Sequence, residues 1–147
     1  MDVIAANPAF QTYALCAAIL ALKMLLSAVY TSVCRTRHRG FVNPEDAATF
    51  APGTAASEQE HPAVAHALRI QRNDVENIPA FFAIGLAYVL LGASPFGAAV
   101  YLGTYTAARV LHTLAYMGRL QPWRAVCYLV GVLCMLGMIA QILKQTL

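Results

Sequence analysis

Arg69-Ile-Gln-Arg-Asn-Asp-Val-Glu76, followed at once by Asn77-Ile-Pro-Ala-Phe-Phe-Ala-Ile-Gly-Leu-Ala-Tyr-Val-Leu-Leu91, decides the fold. Two arginines, an asparagine, an aspartate and a glutamate run without a turn signal into an apolar helix. At about 100° per residue, Arg69, Asn73 and Glu76 share one face, with Arg72 beside them. Charges this close to a membrane span are costly and face partners or a water-filled cavity. The remaining helices are therefore expected to supply that cavity.

Composition agrees. The chain has 147 residues, 59% hydrophobic and 12% charged, about half the charged fraction of an average soluble domain. Its length fits a single domain spanning 1–147. A net charge of +3 with dispersed arginines gives no argument for nucleic acid, and no such partner is expected. Cys16, Cys34, Cys127 and Cys134 lie in or beside apolar stretches without metal-ligand spacing, and no two histidines stand at i, i+4. They read as packing thiols, with no metal site. The start, Met-Asp-Val, lacks the basic region of a signal peptide, so the first apolar segment is expected to remain in the mature chain.

Four spans are predicted, at about 10–33, 63–91, 96–118 and 123–143, each long enough for a hydrocarbon core of ~30 Å. Lys23 interrupts the first and reads as turned into the bundle or snorkelling. Arg35, Arg37, His38 and Arg39 mark its cytoplasmic end. In the connection that follows, Asn43-Pro44-Glu45-Asp46 reads as a helix start: Asn as cap, Pro at the first position, acids in the first turn. Pro79 lies inside the second span and is tolerated where neighbours satisfy the freed carbonyl. Gly92-Ala-Ser-Pro95 is an uncharged turn across the membrane. The third span carries Arg109, His112 and Tyr116 at i, i+3, i+7, and the fourth opens with Arg124 and Tyr128 at i, i+4. The two basic connections fall on one side, so both termini face the lumen or periplasm.

This topology gathers Arg35, Arg69, Arg72, Asn73, Glu76, His112, Tyr116, Arg124 and Tyr128 in the cytoplasmic half of an all-α integral membrane bundle. Snorkelling accounts for single arginines near helix ends. It does not account for recurrence at helical spacing, nor for the neutral donors Asn73, Tyr116 and Tyr128. A structural network of buried ion pairs is the competing reading. Asp74 and Glu76 cannot balance Arg35, Arg69, Arg72 and Arg124, so the site calls for an anion with more than one negative group.

Arg72-Asn-Asp-Val-Glu-Asn77, Asn43-Pro-Glu-Asp46 and Ala108-Arg-Val-Leu-His-Thr-Leu-Ala-Tyr116 together resemble the MAPEG family of membrane-associated eicosanoid and glutathione enzymes, over about residues 10–143. The resemblance implies a four-transmembrane-helix subunit assembling as a homotrimer, with glutathione held at the cytoplasmic side between adjacent subunits. By position it puts glutathione contacts on Arg35, Arg72, Asn73, Glu76, His112, Tyr116, Arg124 and Tyr128, with Arg69 as a neighbouring arginine. Asp46 aligns with an acid implicated in catalysis in the prostaglandin E synthase branch. The chemistry is consistent: arginines suit glutathione's carboxylates, Glu76 suits its ammonium, and Arg124 with Tyr128 suits its thiolate.

Asn77-Ile-Pro79 and Gln121-Pro-Trp-Arg-Ala125 look like the microsomal glutathione transferase branch. Arg72 and Tyr128 look like the synthase branch. The resulting expectation is a glutathione transferase acting on hydrophobic electrophiles or lipid substrates, with peroxidase activity as a further possibility. Glutathione-dependent isomerisation of a prostaglandin endoperoxide is the alternative, and a non-catalytic lipid-binding relative the second. A channel is disfavoured because the lumenal half is apolar. The membrane, bacterial inner membrane or endoplasmic reticulum, has no signature in the sequence.

Overall fold

The computed structural model describes residues 2–147 and is helical, with no strand among the described residues. In chain order the elements are α1 (Asp2–Ala5), α2 (Pro8–His38), α3 (Pro44–Phe50), α4 (Pro62–Leu90), α5 (Pro95–Ala98), a π-helical turn (Ala99–Gly103), α6 (Thr104–Met117) and α7 (Trp123–Thr146).

Three helix starts share one device. A capping side chain precedes a proline whose missing N–H would have had no intrahelical partner. Asn7 Oδ1 accepts from Ala9 N at 2.9 Å ahead of α2. His61 Nδ1 accepts from Ala63 N at 3.2 Å at α4, and Ser94 Oγ accepts from Gly97 N at 3.0 Å at α5. The expected start at Pro44 is present, but Asn43 caps nothing with its side chain. Its amide donates instead to Asp46 Oδ2 at 3.1 Å. α2 and α6 both close through an arginine in the left-handed region, Arg39 (φ 49°) and Arg119 (φ 55°). Gly40 N then bonds Arg35 O, and Leu120 N bonds Ala115 O, the six-to-one closure of a Schellman cap.

α2 and α7 are long and apolar enough to cross a membrane. α4 is long, but its first half carries the Arg69–Glu76 charges. The segment from Pro95 to Met117 is helical without a gap, yet a π turn divides it where one even span was expected. Leu15, Leu22, Leu25 and Leu26 on α2 and Leu129, Leu133 and Leu136 on α7 are exposed, as lipid-facing residues should be.

Two compact units are distinguished: Met24–Val75, and the segment ending at Lys23 taken with Glu76–Leu147. α2 and α4 each contribute to both. In the larger unit, Phe81 is fully buried and stacks on Tyr105, with ring centroids 4.3 Å apart and 7° between planes. The Tyr105 hydroxyl donates to Asn77 O at 3.0 Å, and the Tyr13 hydroxyl donates to Phe82 O at 3.0 Å. Both acceptors lie within three residues of Pro79, whose missing N–H frees the carbonyl of Val75 instead. α6 and α7 pack along each other, and Lys23 on α2 is buried.

Small residues on α7 set how close its neighbours come. A Cβ at Gly137 would run into the Tyr101 ring. Gly137→Ala is therefore expected to cost about 1–3 kcal/mol by overpacking. A thermal unfolding scan in mild detergent checks this, with Tyr101→Leu in the same chain restoring most of the loss.

The smaller unit has two apolar clusters. Cys34, Val64 and Ala67 pack with Tyr30 and Leu68, and Phe41, Ala47 and Ala51 pack with Ala56. Cys16, Cys34 and Cys134 are buried and Cys127 half-buried, all free thiols. Polar groups also join α2 to α4 here. Ser27 Oγ lies 3.1 Å from Asp74 Oδ2, and Thr31 Oγ1 lies 3.1 Å from Gln71 Oε1.

Candidate active site

In the larger unit, α6 and α7 bring four of the sequence-predicted residues together. Arg124, in the first turn of α7, lays its guanidinium over the Tyr116 ring, 4.5 Å from the centroid. His112 meets the Tyr116 ring edge-on at 5.8 Å and the Tyr128 ring at 6.3 Å. The spacing explains the set. His112 and Tyr116 lie one turn apart on α6, and Arg124 and Tyr128 one turn apart on α7. His112 is buried, Tyr116 and Arg124 are half-buried, and Tyr128 is exposed. Tyr116 thus carries the cation, and His112 links its ring to that of Tyr128.

Gln121 belongs to this group and was not foreseen. Its amide satisfies its surroundings with the oxygen toward Arg124, accepting from Nε at 3.0 Å and from Nη2 at 2.6 Å. A neutral carboxamide grips one edge of the guanidinium without cancelling its charge. The only signal in sequence is its position three residues before Arg124.

Arg109 lies one turn before His112 on α6. It is 1% exposed and lines a cavity of about 200 Å³ with Glu76, Asn77, Tyr105 and an apolar wall of Val132 and Leu136. An added Cβ at Gly131 would stand 3.6 Å from Arg109 Cδ and 3.7 Å from Tyr105, in ordinary contact. Glu76 itself is exposed.

In the smaller unit, Arg35 closes α2 and binds Glu60, Nη2 to Oε1 at 2.8 Å. Glu60, absent from the expected charge balance, answers one of the four arginines. Arg69 and Arg72 are exposed and Asn73 is half-buried on α4. Asp74 is 1% exposed and engaged with Ser27, so it lies on the far side of the helix from Arg72. Arg69 and Arg72 thus keep a solvent-facing positive edge. Asp46, half-buried in the first turn of α3, is bound by Asn43.

Comparison with known proteins follows the same lines. A family model for the MAPEG family matches residues 13–144. The chain belongs to the MAPEG family. It is 37% identical to human prostaglandin E synthase over 145 residues, covering 98% of this chain and 94% of the relative. It is 38% identical to the bovine prostaglandin E synthase over 139 residues, 94% of this chain and 88% of the relative. To human microsomal glutathione S-transferase 1 it is 36% identical over 141 residues, 94% of this chain and 91% of the relative. Both names are those of enzymes, and prostaglandin E synthases lead the matches to this MAPEG chain.

Proposed function

We propose that this MAPEG protein is a membrane-bound glutathione transferase that presents the glutathione thiolate to hydrophobic electrophiles. The observation that carries it is the guanidinium of Arg124, seated on Tyr116 and gripped by Gln121 at the head of α7. A thiol of pKa about 8.5 is only a few per cent ionised at neutral pH. A guanidinium beside it in a poorly solvated site favours the thiolate about a hundredfold, roughly 2.7 kcal/mol. Cation stacking and the carboxamide hold Arg124 in place while leaving its charge for the sulfur. Tyr128, exposed one turn further, donates a second hydrogen bond to the sulfur in this reading. The protein needs no nucleophile of its own, because the cosubstrate brings one.

The remaining residues fall to the peptide part of glutathione. Arg35, Arg69 and Arg72 suit its two carboxylates, Asn73 and His112 its amides, and Glu76 its ammonium. Tyr116 serves by carrying Arg124. The exposure of Arg69, Arg72, Glu76 and Tyr128 in the single chain fits a homotrimer of four-span subunits, with glutathione between neighbours on the cytoplasmic side. The apolar wall of the cavity beside Arg109 supports entry of the electrophile from lipid between α6 and α7.

Conjugation of a small aryl halide by the detergent-purified protein tests this reading. Steady turnover is expected. Glutathione binding without conjugation would overturn it. Glu76→Gln is expected to raise the KM for glutathione about tenfold with kcat little changed, since the ammonium contact is the same in ground and transition states. An unchanged KM would remove Glu76 from that role.

A second reading has its own support. The prostaglandin E synthases match over up to 98% of the chain, and Asn43 orients the Asp46 carboxylate. Under that reading the same thiolate opens a prostaglandin endoperoxide and Asp46 assists proton transfer. Product formation from the endoperoxide, lost in Asp46→Asn while aryl-halide conjugation persists, would establish it.

A further inference from the structure

The last turn of α2 and the residues leading into α4 hold an ion pair that leaves its own bonding unfinished. Arg35 Nη2 binds Glu60 Oε1 at 2.8 Å, with the two side chains 32% and 26% exposed. Nε and Nη2 form one edge of a guanidinium, on which a carboxylate can seat both oxygens in a parallel fork. Glu60 uses one oxygen only. Arg35 Nε and Glu60 Oε2 are buried and have no hydrogen-bond partner among the described residues. Each atom has lost its water without gaining a protein partner, so the closed pair is weaker than its short distance implies.

The backbone explains the single-oxygen contact. Glu60 immediately precedes His61, which is fixed twice. His61 Nδ1 accepts from Ala63 N at 3.2 Å, and its ring stacks on His38 with centroids 4.4 Å apart and 14° between planes. Gly40, whose N bonds Arg35 O, lies so close that an added Cβ would stand 2.8 Å from His61 Cβ. The neighbouring residue thus sets where the Glu60 carboxylate is delivered. A ligand carboxylate is under no such constraint and can take the whole edge.

The same contacts make the pair separable. The His38–His61 stack and the α4 cap join the two helix ends without it. Opening Arg35–Glu60 therefore releases two side chains and leaves the connection carrying α3 tied at both ends.

We propose that Glu60 is an internal competitor for the Arg35 guanidinium, displaced by a carboxylate of glutathione. This rests on the reading above that gives Arg35 to such a carboxylate. Glu60 holds Arg35 at the end of α2 until glutathione binds. The ligand then gains a two-bond fork, and Glu60 Oε2 regains water. Glu60 thereby sets the affinity for glutathione without touching it.

Equilibrium binding of glutathione to the detergent-purified protein tests this. Glu60→Gln keeps the shape, removes the competing charge, and is expected to tighten binding about three- to fivefold. Glu58 is exposed two residues away. Glu58→Gln removes the same charge from the neighbourhood and should change affinity less than about twofold. Two amides of glutathione give a second readout, one neutral at the glycine carboxylate and one at the γ-glutamyl α-carboxylate. The gain in Glu60→Gln should vanish for the amide lacking the carboxylate that Arg35 takes, and persist for the other. Unchanged or weaker binding in Glu60→Gln, an equal gain in Glu58→Gln, or a gain kept with both amides overturns the competition. Arg35→Gln separates this failure from that of the underlying reading. Weakened binding in Arg35→Gln without a gain in Glu60→Gln would overturn the competition alone. Wild-type affinity in Arg35→Gln would overturn the assignment of Arg35 to glutathione, and the competition with it.

Discussion

Arg124→Ala is expected to cut the bound thiolate fraction at pH 7 by about 25-fold, with the gap closing to less than twofold by pH 9. Both figures follow from moving a thiol pKa of roughly 6.5 back to about 8.5. The thiolate's ultraviolet absorbance reads that fraction directly in the glutathione complex. Turnover separates two roles of the same guanidinium. A thiolate of lower pKa is intrinsically a weaker nucleophile, by a factor just under ten at a Brønsted slope of about 0.4–0.5. If Arg124 acted only through ionisation, turnover would fall only about threefold at pH 7. We expect a fall of more than tenfold, because Gln121 and the Tyr116 ring fix the guanidinium and a fixed cation also fixes the sulfur it binds. Arg124→Lys keeps the charge but loses the planar fork that Gln121 grips, so it should fall between the two. Unchanged thiolate and unchanged turnover in Arg124→Ala would remove Arg124 from the chemistry.

The helix ends are written in local chemistry, of which only the start at Pro44 was expected from the sequence, and there Asn43 caps nothing with its side chain. Asn7-Pro8, His61-Pro62 and Ser94-Pro95 each start a helix by a side-chain cap ahead of a proline. Hydropathy was incomplete too. α2 and α7 are legible as spans by length and apolarity alone. α4 mixes the Arg69–Glu76 charges into its first half, and the third helical segment is divided by the turn at Ala99–Gly103. That turn answers to tertiary contact, since Tyr101 in it packs against Gly137 on α7, and no periodicity within the segment announces it.

The site was legible where helical spacing decides it. His112 and Tyr116, and Arg124 and Tyr128, share helix faces as their i, i+4 spacing implies, and the α6–α7 connection brings the two pairs together. Arg109 shares their stripe by arithmetic and also lines a cavity with Glu76. A shared helix face spans a wide arc, and the depth of a long side chain within it depends on what the neighbouring helix leaves open. Glu60 and Gln121 escaped because both lie outside regular helix and reach their arginines through loops. Loop geometry has no period to read.

Asp74→Ala is expected to destabilise the protein by about 3 kcal/mol, the scale for removing one member of a buried polar pair. The Asp74 carboxylate is 1% exposed, and Ser27 Oγ lies 3.1 Å from its Oδ2 and 2.9 Å from Met24 O. One turn away, Thr31 Oγ1 lies between Ser27 O at 3.0 Å and Gln71 Oε1 at 3.1 Å. These contacts hold α4 in rotation against α2 within the smaller unit. Asp74 stands about 200° around the helix from both Arg72 and Glu76, and roughly 140° from Arg69. Anchoring Asp74 therefore sets the direction in which the charged edge faces. Asp74→Asn keeps the shape and an acceptor for Ser27, so it should lose much less. Thermal unfolding of both variants in detergent measures the stability difference. Glutathione KM, taken well below the unfolding transition, tests whether the anchor also orients the edge. A KM several-fold higher in Asp74→Ala, restored in Asp74→Asn, is the expected result. A destabilised Asp74→Ala with wild-type KM would confine the pair to holding the helices together, and the orientation of Arg69, Arg72 and Glu76 would then rest on their own contacts.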